Sequence, residues 1–145
     1  VADLVFNIAK GKVAYYATLP AANDALIVIP IEASGVEADA VIRDYDDVGT
    51  LLAAANNEQT TMGRKTITSV TVTVDDTNDR VDVDIADVVW TAATGNAISD
   101  VLIAYDPDTT GGTDSSLIPL TWHDFVITPD GSDVTATVAN FFRAS

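Results

Sequence analysis

The stretch TITSVTVTVDDTNDRVDVDI, Thr66 to Ile85, decides the fold class. Ile67, Val70, Val72 and Val74 alternate largely with threonine and serine, the period of a strand with one buried face. Asp75 to Asp79, DDTND, is a cluster of turn-forming residues. Beyond it the alternation is strict, with Val81, Val83 and Ile85 on one face and Asp82 and Asp84 on the other. The pattern predicts a β-hairpin with one apolar face and one wet face.

The same signal recurs along the chain. Ala25 to Glu32, ALIVIPIE, is rich in β-branched residues and short enough to be a buried strand, and Pro30 there implies an edge, a bulge or a strand end. Val36 to Asp44 alternates imperfectly and reads as a further strand. Val88 to Trp90, Val101 to Tyr105, Leu117 to Leu120, Phe125 to Thr128 and Val134 to Val138 also read as strands. Gly95-Asn96 and Pro129 to Gly131 are turns, and Asp106 to Ser116 is a long polar loop. One segment has a different period. Val48, Leu51, Leu52 and Ala55 share a helical face, Asp44 or Asp46 can cap its start, and Asn56 and Asn57 can close it. The expectation is a mainly β chain: a single-domain β-sandwich or barrel of about seven to nine short strands, with one short helix near residues 46–56. Residues 1–18 form a separate N-terminal segment, a first strand or an extended docking arm, and residues 19–145 form the β domain.

Composition narrows the function. The chain has 145 residues, 22 acids against 7 bases and a formal charge of −15. Only Glu32, Glu37 and Glu58 are glutamate, so nineteen of the 22 acids are aspartate, a residue of turns and caps. Apolar residues make up 48% and mean hydropathy is +0.22, which separates the chain from disordered acidic tails. A nucleic-acid reader needs a basic footprint, and from Val81 to Phe142 there is no lysine or arginine at all. Cysteine is absent, which excludes disulfides, thiol nucleophiles and cysteine-based metal sites. The longest apolar run, Ala25 to Ile31, is far short of the ~20 residues of a membrane span. The start, VADLVFNIAKGK, places its bases after its apolar residues, unlike a secretory signal. Val1 is expected to follow a removed initiator methionine.

Chemistry-bearing groups are few. His123 is the only histidine, with Asp124 beside it, but no G-x-S-x-G elbow accompanies it, and it is expected near Trp122 at a strand end. Asp75, Asp76, Asp79, Asp82 and Asp84 cluster in the hairpin, and Asp106, Asp108 and Asp114 in the long loop. Such oxygens suit a hard cation, yet the EF-hand spacing is missing and solvated turns account for them. No catalytic residue, cofactor or metal ligand is expected. The aromatic pair Phe141-Phe142 must be buried in its own core or against a neighbour, and Tyr15-Tyr16 poses the same choice.

FNIAKGKVAYYA, DYDDVGTLLAAANNE, TVTVDDTNDRVDVDIADVVWTAA and above all YDPDTTGGTDSSLIPLTWHDFVITPDGSDVTATVANFFRAS resemble a family of small virion structural proteins of tailed bacteriophages. The resemblance spans nearly the whole chain, and its motifs are structural. It implies a non-enzymatic capsid decoration protein on the outside of the head, partnered by the major capsid protein and by its own copies as a homotrimer, with no nucleic-acid or membrane partner. The interface is expected at Phe6, Lys10, Lys12, Tyr15, Tyr16, Phe141 and Phe142. Two other readings stand beside it: a tail or connector component, and a glycan-binding adhesion module with Trp90 or Trp122 as an exposed platform.

Overall fold

The computed structural model describes residues 2–145; Val1, with the expectation attached to it, lies outside the described residues. In chain order the elements are β1 (Leu4–Val5), α1 (Val13–Ala17), β2 (Ala25–Glu32), α2 (Asp39–Ile42), α3 (Val48–Ala53), β3 (Lys65–Ile67), β4 (Val70–Asp75), β5 (Arg80–Ile85), β6 (Val88–Trp90), β7 (Ile98–Asp106), β8 (Ile118–Ile127), β9 (Val134–Ala136) and β10 (Phe142–Ala144). Ten strands build three antiparallel sheets, ordered β1-β8-β7-β2-β3, β10-β5-β4 and β6-β9. The mainly β expectation holds. The sheets are open, so the barrel alternative fails, and the described residues hold ten strands and three short helices rather than seven to nine strands and one helix.

The hairpin forms as its period predicts. Val70 pairs with Ile85, Val72 with Val83 and Val74 with Val81. The Asp75 carboxylate accepts the backbone N–H groups of Thr77 and Asn78 at 3.2 and 3.1 Å, and the Asn78 side-chain amide at 2.7 Å. That arrangement closes the turn by side-chain mimicry of backbone. Asp79 takes φ 51, a left-handed conformation aspartate tolerates better than most residues. The aspartate face is less wet than expected, because Asp82 is paired with both Arg80 and Arg143.

The five-stranded sheet forms the centre. Ile29, Leu102, Trp122 and Leu4 stand in register across β2, β7, β8 and β1 on one face. The Phe6 ring lies 6.5 Å from Trp122 on that side, and Phe6, Ile29, Leu102 and Trp122 are fully buried. Each such side chain contributes roughly 1.5–3 kcal/mol by leaving water. On the opposite face Val28, Ile103 and His123 meet Ile85 and Val88 from the smaller sheets and Phe141 just before β10. Pro30 is accommodated because its carbonyl accepts from the Gln59 N–H at 2.9 Å. In an extended strand its missing N–H points the same way, past the end of β3 and away from the β7 ladder.

Several local expectations are corrected. Val36 to Asp44 is not a strand: Ile42 enters the core at the end of the one-turn α2, and Glu37 is tied to Asn56 and Tyr45. The helix near 46–56 is shorter, Val48–Ala53, and its cap is Asp47, whose carboxylate accepts the Thr50 N–H at 2.7 Å. Leu117 to Leu120 and Phe125 to Thr128 belong to one long strand, β8, so His123 sits within a strand and not at its end. Residues 2–18 do not extend from the body. β1 pairs with β8, the Asn7 N–H donates to the Arg43 carbonyl at 2.8 Å, and Phe6, Ala9, Val13 and Ala17 are buried.

Candidate functional site

The folded N-terminal segment presents a basic face. Gly11 turns the chain at φ +73, with open space where a Cβ would stand. Lys10 and Lys12 flank it, both exposed, and neither takes part in an ion pair among the described residues. Of the other bases, Arg64, Arg80 and Arg143 are engaged with carboxylates, whereas the exposed Arg43 and the half-buried Lys65 also form no ion pair among the described residues. Helix α1 follows, anchored by Val13 and Ala17, and Tyr15 projects from it at 61% exposure. Tyr15 stacks edge-on to Tyr16 at 5.5 Å, and Tyr16 packs on Tyr105 at 5.4 Å. The Tyr105 hydroxyl donates to Asp24 at 2.7 Å, and burial together with that carboxylate pushes its pKa up to about 12. Tyr15 is therefore held by a row of rings rooted in the central sheet.

The remaining interface candidates are turned inward. Phe6 is fully buried, and Phe141 is buried edge-on against His123, with ring centres 6.5 Å apart. Phe142 is half-buried opposite Val83, where β10 joins the hairpin. The terminal aromatic pair thus completes its own sheet. Lys10, Lys12 and Tyr15 are the exposed members of the expected set, with Tyr16 and Phe142 half-buried.

His123 lines a pocket of about 220 Å³ with Val28, Ile103, Phe125, Val88 and Phe141. Its Nε2 lies 2.9 Å from Thr121 Oγ1, and its Nδ1 lies 3.6 Å from the Asp3 carboxylate. Burial holds its pKa below the usual histidine value, against the pull of Asp3. The acid facing it is thus Asp3, not the adjacent Asp124, and no serine lines the pocket. Trp90 and Trp122 are buried, and the Trp90 indole N–H donates to the Gly63 carbonyl at 2.9 Å. Neither indole can serve as an exposed sugar platform in this arrangement. The aspartates are likewise spread among local tasks: Asp75 closes the hairpin turn, Asp108 accepts from Thr110, and Asp114 pairs with Arg64. No group of three His, Asp or Glu residues converges as a metal site among the described residues.

Two features were not anticipated. Asp100 is 1% exposed, directly opposite Asp124 across the β7–β8 ladder. Ser99 donates to one carboxyl oxygen while the other has no partner, and the buried Trp122 indole N–H is also without a bond of good geometry. Burial pushes the Asp100 pKa up, and Asp124 adds to the shift. An acid immediately before the apolar run VLIAY was the only signal of this site in the sequence. The second feature is the segment Gln59 to Arg64, which acts as a strap. The buried Gln59 side chain donates to the Asn96 carbonyl at 2.9 Å and accepts from the Thr61 N–H at 2.8 Å. Arg64 forks between Glu58 and Asp114.

No protein-family model matches the chain, and neither a curated protein nor a solved structure matches it at significant similarity.

Proposed function

We propose that this protein is a structural component of a tailed-bacteriophage virion that decorates the outside of the head and stabilises the shell. The observation that carries the reading is the separation of charge. The acids occupy turns, loop rims and locally paired positions over a chain of net charge −15, while Lys10 and Lys12 stand exposed and unpaired beside the projecting Tyr15. A negative outer surface repels DNA and other virions, and the basic-aromatic face is suited to an acidic surface on the major capsid protein. The packing of the β10-β5-β4 and β6-β9 sheets over one face of the central sheet supports reading the fold as a β-sandwich. Such a rigid body loses little freedom when it docks.

The mechanism is mass action. A protein that binds the expanded shell and not its disassembled subunits stabilises the shell in proportion to the logarithm of its saturation. Many weak copies on a symmetric lattice, clustered as trimers at local threefold positions, gain avidity from the repetition. The test is thermal release of DNA from particles stripped of the protein and then reconstituted. Added wild-type chain raises the release temperature, and the charge reversal K10E/K12E, at two exposed positions, abolishes that rise while leaving the fold intact. Equal protection by both forms refutes the basic face as the docking surface.

A further inference from the structure

We propose that two copies of this chain join through the outer edge of β4, strand against antiparallel strand, making one six-stranded sheet across a twofold axis. β4 is the last strand of the β10-β5-β4 sheet, and no backbone hydrogen bond from its open side is satisfied elsewhere among the described residues. Natural edge strands are blunted by lysine, proline, a bulge or a covering element. β4 reads VTVTVD, with no lysine or proline inside it, it pairs with β5 without a register shift, and the neighbouring helix α1 touches β5 as much as β4. It also carries an anomaly: Val74, on the apolar face of the hairpin, is 67% exposed.

A second copy fits this edge because the strand is self-complementary in one register. With Val72 facing Val72 of the other copy on the axis, Val70 faces Val74 and Thr71 faces Thr73, each twice by symmetry. Valine meets valine on one face and threonine meets threonine on the other, and the exposed Val74 gains an apolar neighbour. Beyond the strand, Asp75 falls opposite Ser69 and Asp76 opposite Thr68, so no acid faces an acid. Slipping by one residue sets every valine against a threonine face. Slipping by two places Val70 opposite Asp76 and Thr71 opposite Asp75 in one direction, and Val74 opposite Thr68 and Asp75 opposite Ile67 in the other. The net charge of −15 on each copy opposes association, so the contact strengthens as salt screens that repulsion. Helix α1, which carries Tyr15, touches β4 and β5, so this edge lies beside the proposed basic face, and on a shell with threefold clusters the contact would link neighbouring clusters across local twofolds.

The test is solution mass by light scattering across the micromolar to millimolar range, at low and high salt, on the full chain. The wild type is expected at an even number of copies, with the larger species favoured by salt. T71K/T73K is expected to halve that mass, because each new lysine faces a lysine of the other copy. Within its own chain each new lysine faces Asp84 or Asp82, so the hairpin is retained, as an unchanged circular dichroism spectrum would show. A wild type that stays monomeric at every concentration and salt overturns the proposal. So does an assembly that T71K/T73K leaves whole, or a trimer, which is the state the decoration reading expects without this contact.

Discussion

Replacing Asp100 by asparagine should stabilise the protein at neutral pH. The carboxyl is 1% exposed, no base approaches it among the described residues, and Asp124 lies opposite. Its pKa is raised by burial first, while Ser99 and the Trp122 indole ease the shift only in part. The sign follows by linkage. Below the unfolded value of 3.8 both states hold the proton and the group costs nothing. As pH rises from there to the folded value, the native state keeps a proton that the unfolded chain releases, and stability falls until the penalty is complete. Asparagine has no proton to lose. It can accept from Ser99 and donate to Asp124, so it relieves a buried polar group that lacks a full set of partners. Removing a cost of that kind is worth about 1–2 kcal/mol, which corresponds to a Tm increase of roughly 3–6 °C for a domain of this size. Urea and thermal unfolding of D100N at pH 7 and pH 3 measure it. The gain should appear at pH 7, shrink toward pH 3, and be less than additive with D124N because the two groups share one interaction. A D100N protein that is less stable than the wild type at both pH values would refute the reasoning and show that the ionised carboxylate has a partner it needs.

Other perturbations probe separate parts of the molecule. Gly95 sits at φ +110, and a Cβ there would fall 2.1 Å from the Gln59 amide nitrogen, so G95A should cost at least about 3 kcal/mol in urea unfolding. R64K keeps the charge but loses the fork between Glu58 and Asp114. These groups are part exposed and screened, so a loss of about 1 kcal/mol is expected, with faster hydrogen exchange confined to residues 106–116. The folded-state pKa of His123 is lowered, so protonation favours the unfolded chain and stability falls as pH drops below 6.5 toward the folded value. H123N should flatten that limb, whose slope is at most about 1.4 kcal/mol per pH unit for one proton.

The hairpin was legible because its alternation is uninterrupted and its turn is built from local side-chain hydrogen bonds. The β2 and β7 runs were legible for a related reason: strands buried on both faces are continuously apolar. The division of Lys65–Asp75 between two sheets was not read, although the alternation slips by one residue between Ile67 and Val70, at Thr68 and Ser69, where the pairing changes sheet. The N-terminal segment left a signal that went unused. Phe6, Ala9, Val13 and Ala17, spaced by three, four and four, are its buried stripe. Of the residues expected at an interface, Lys10, Lys12 and Tyr15 are exposed. The sequence could not tell that Phe6 and Phe141 point inward, because burial of an aromatic depends on partners distant in the chain. Asp100 was hidden for the same reason: its cost comes from burial, to which Asp124, brought opposite by β8, adds.

Localisation of the protein in the phage particle by cryo-electron microscopy tests the functional account most directly. The account predicts density for this fold on the outer surface of the head, in threefold clusters, with the Lys10–Tyr15 face against the major capsid protein. Density in rings of six or twelve copies at the connector or tail, or none on the shell, would contradict it.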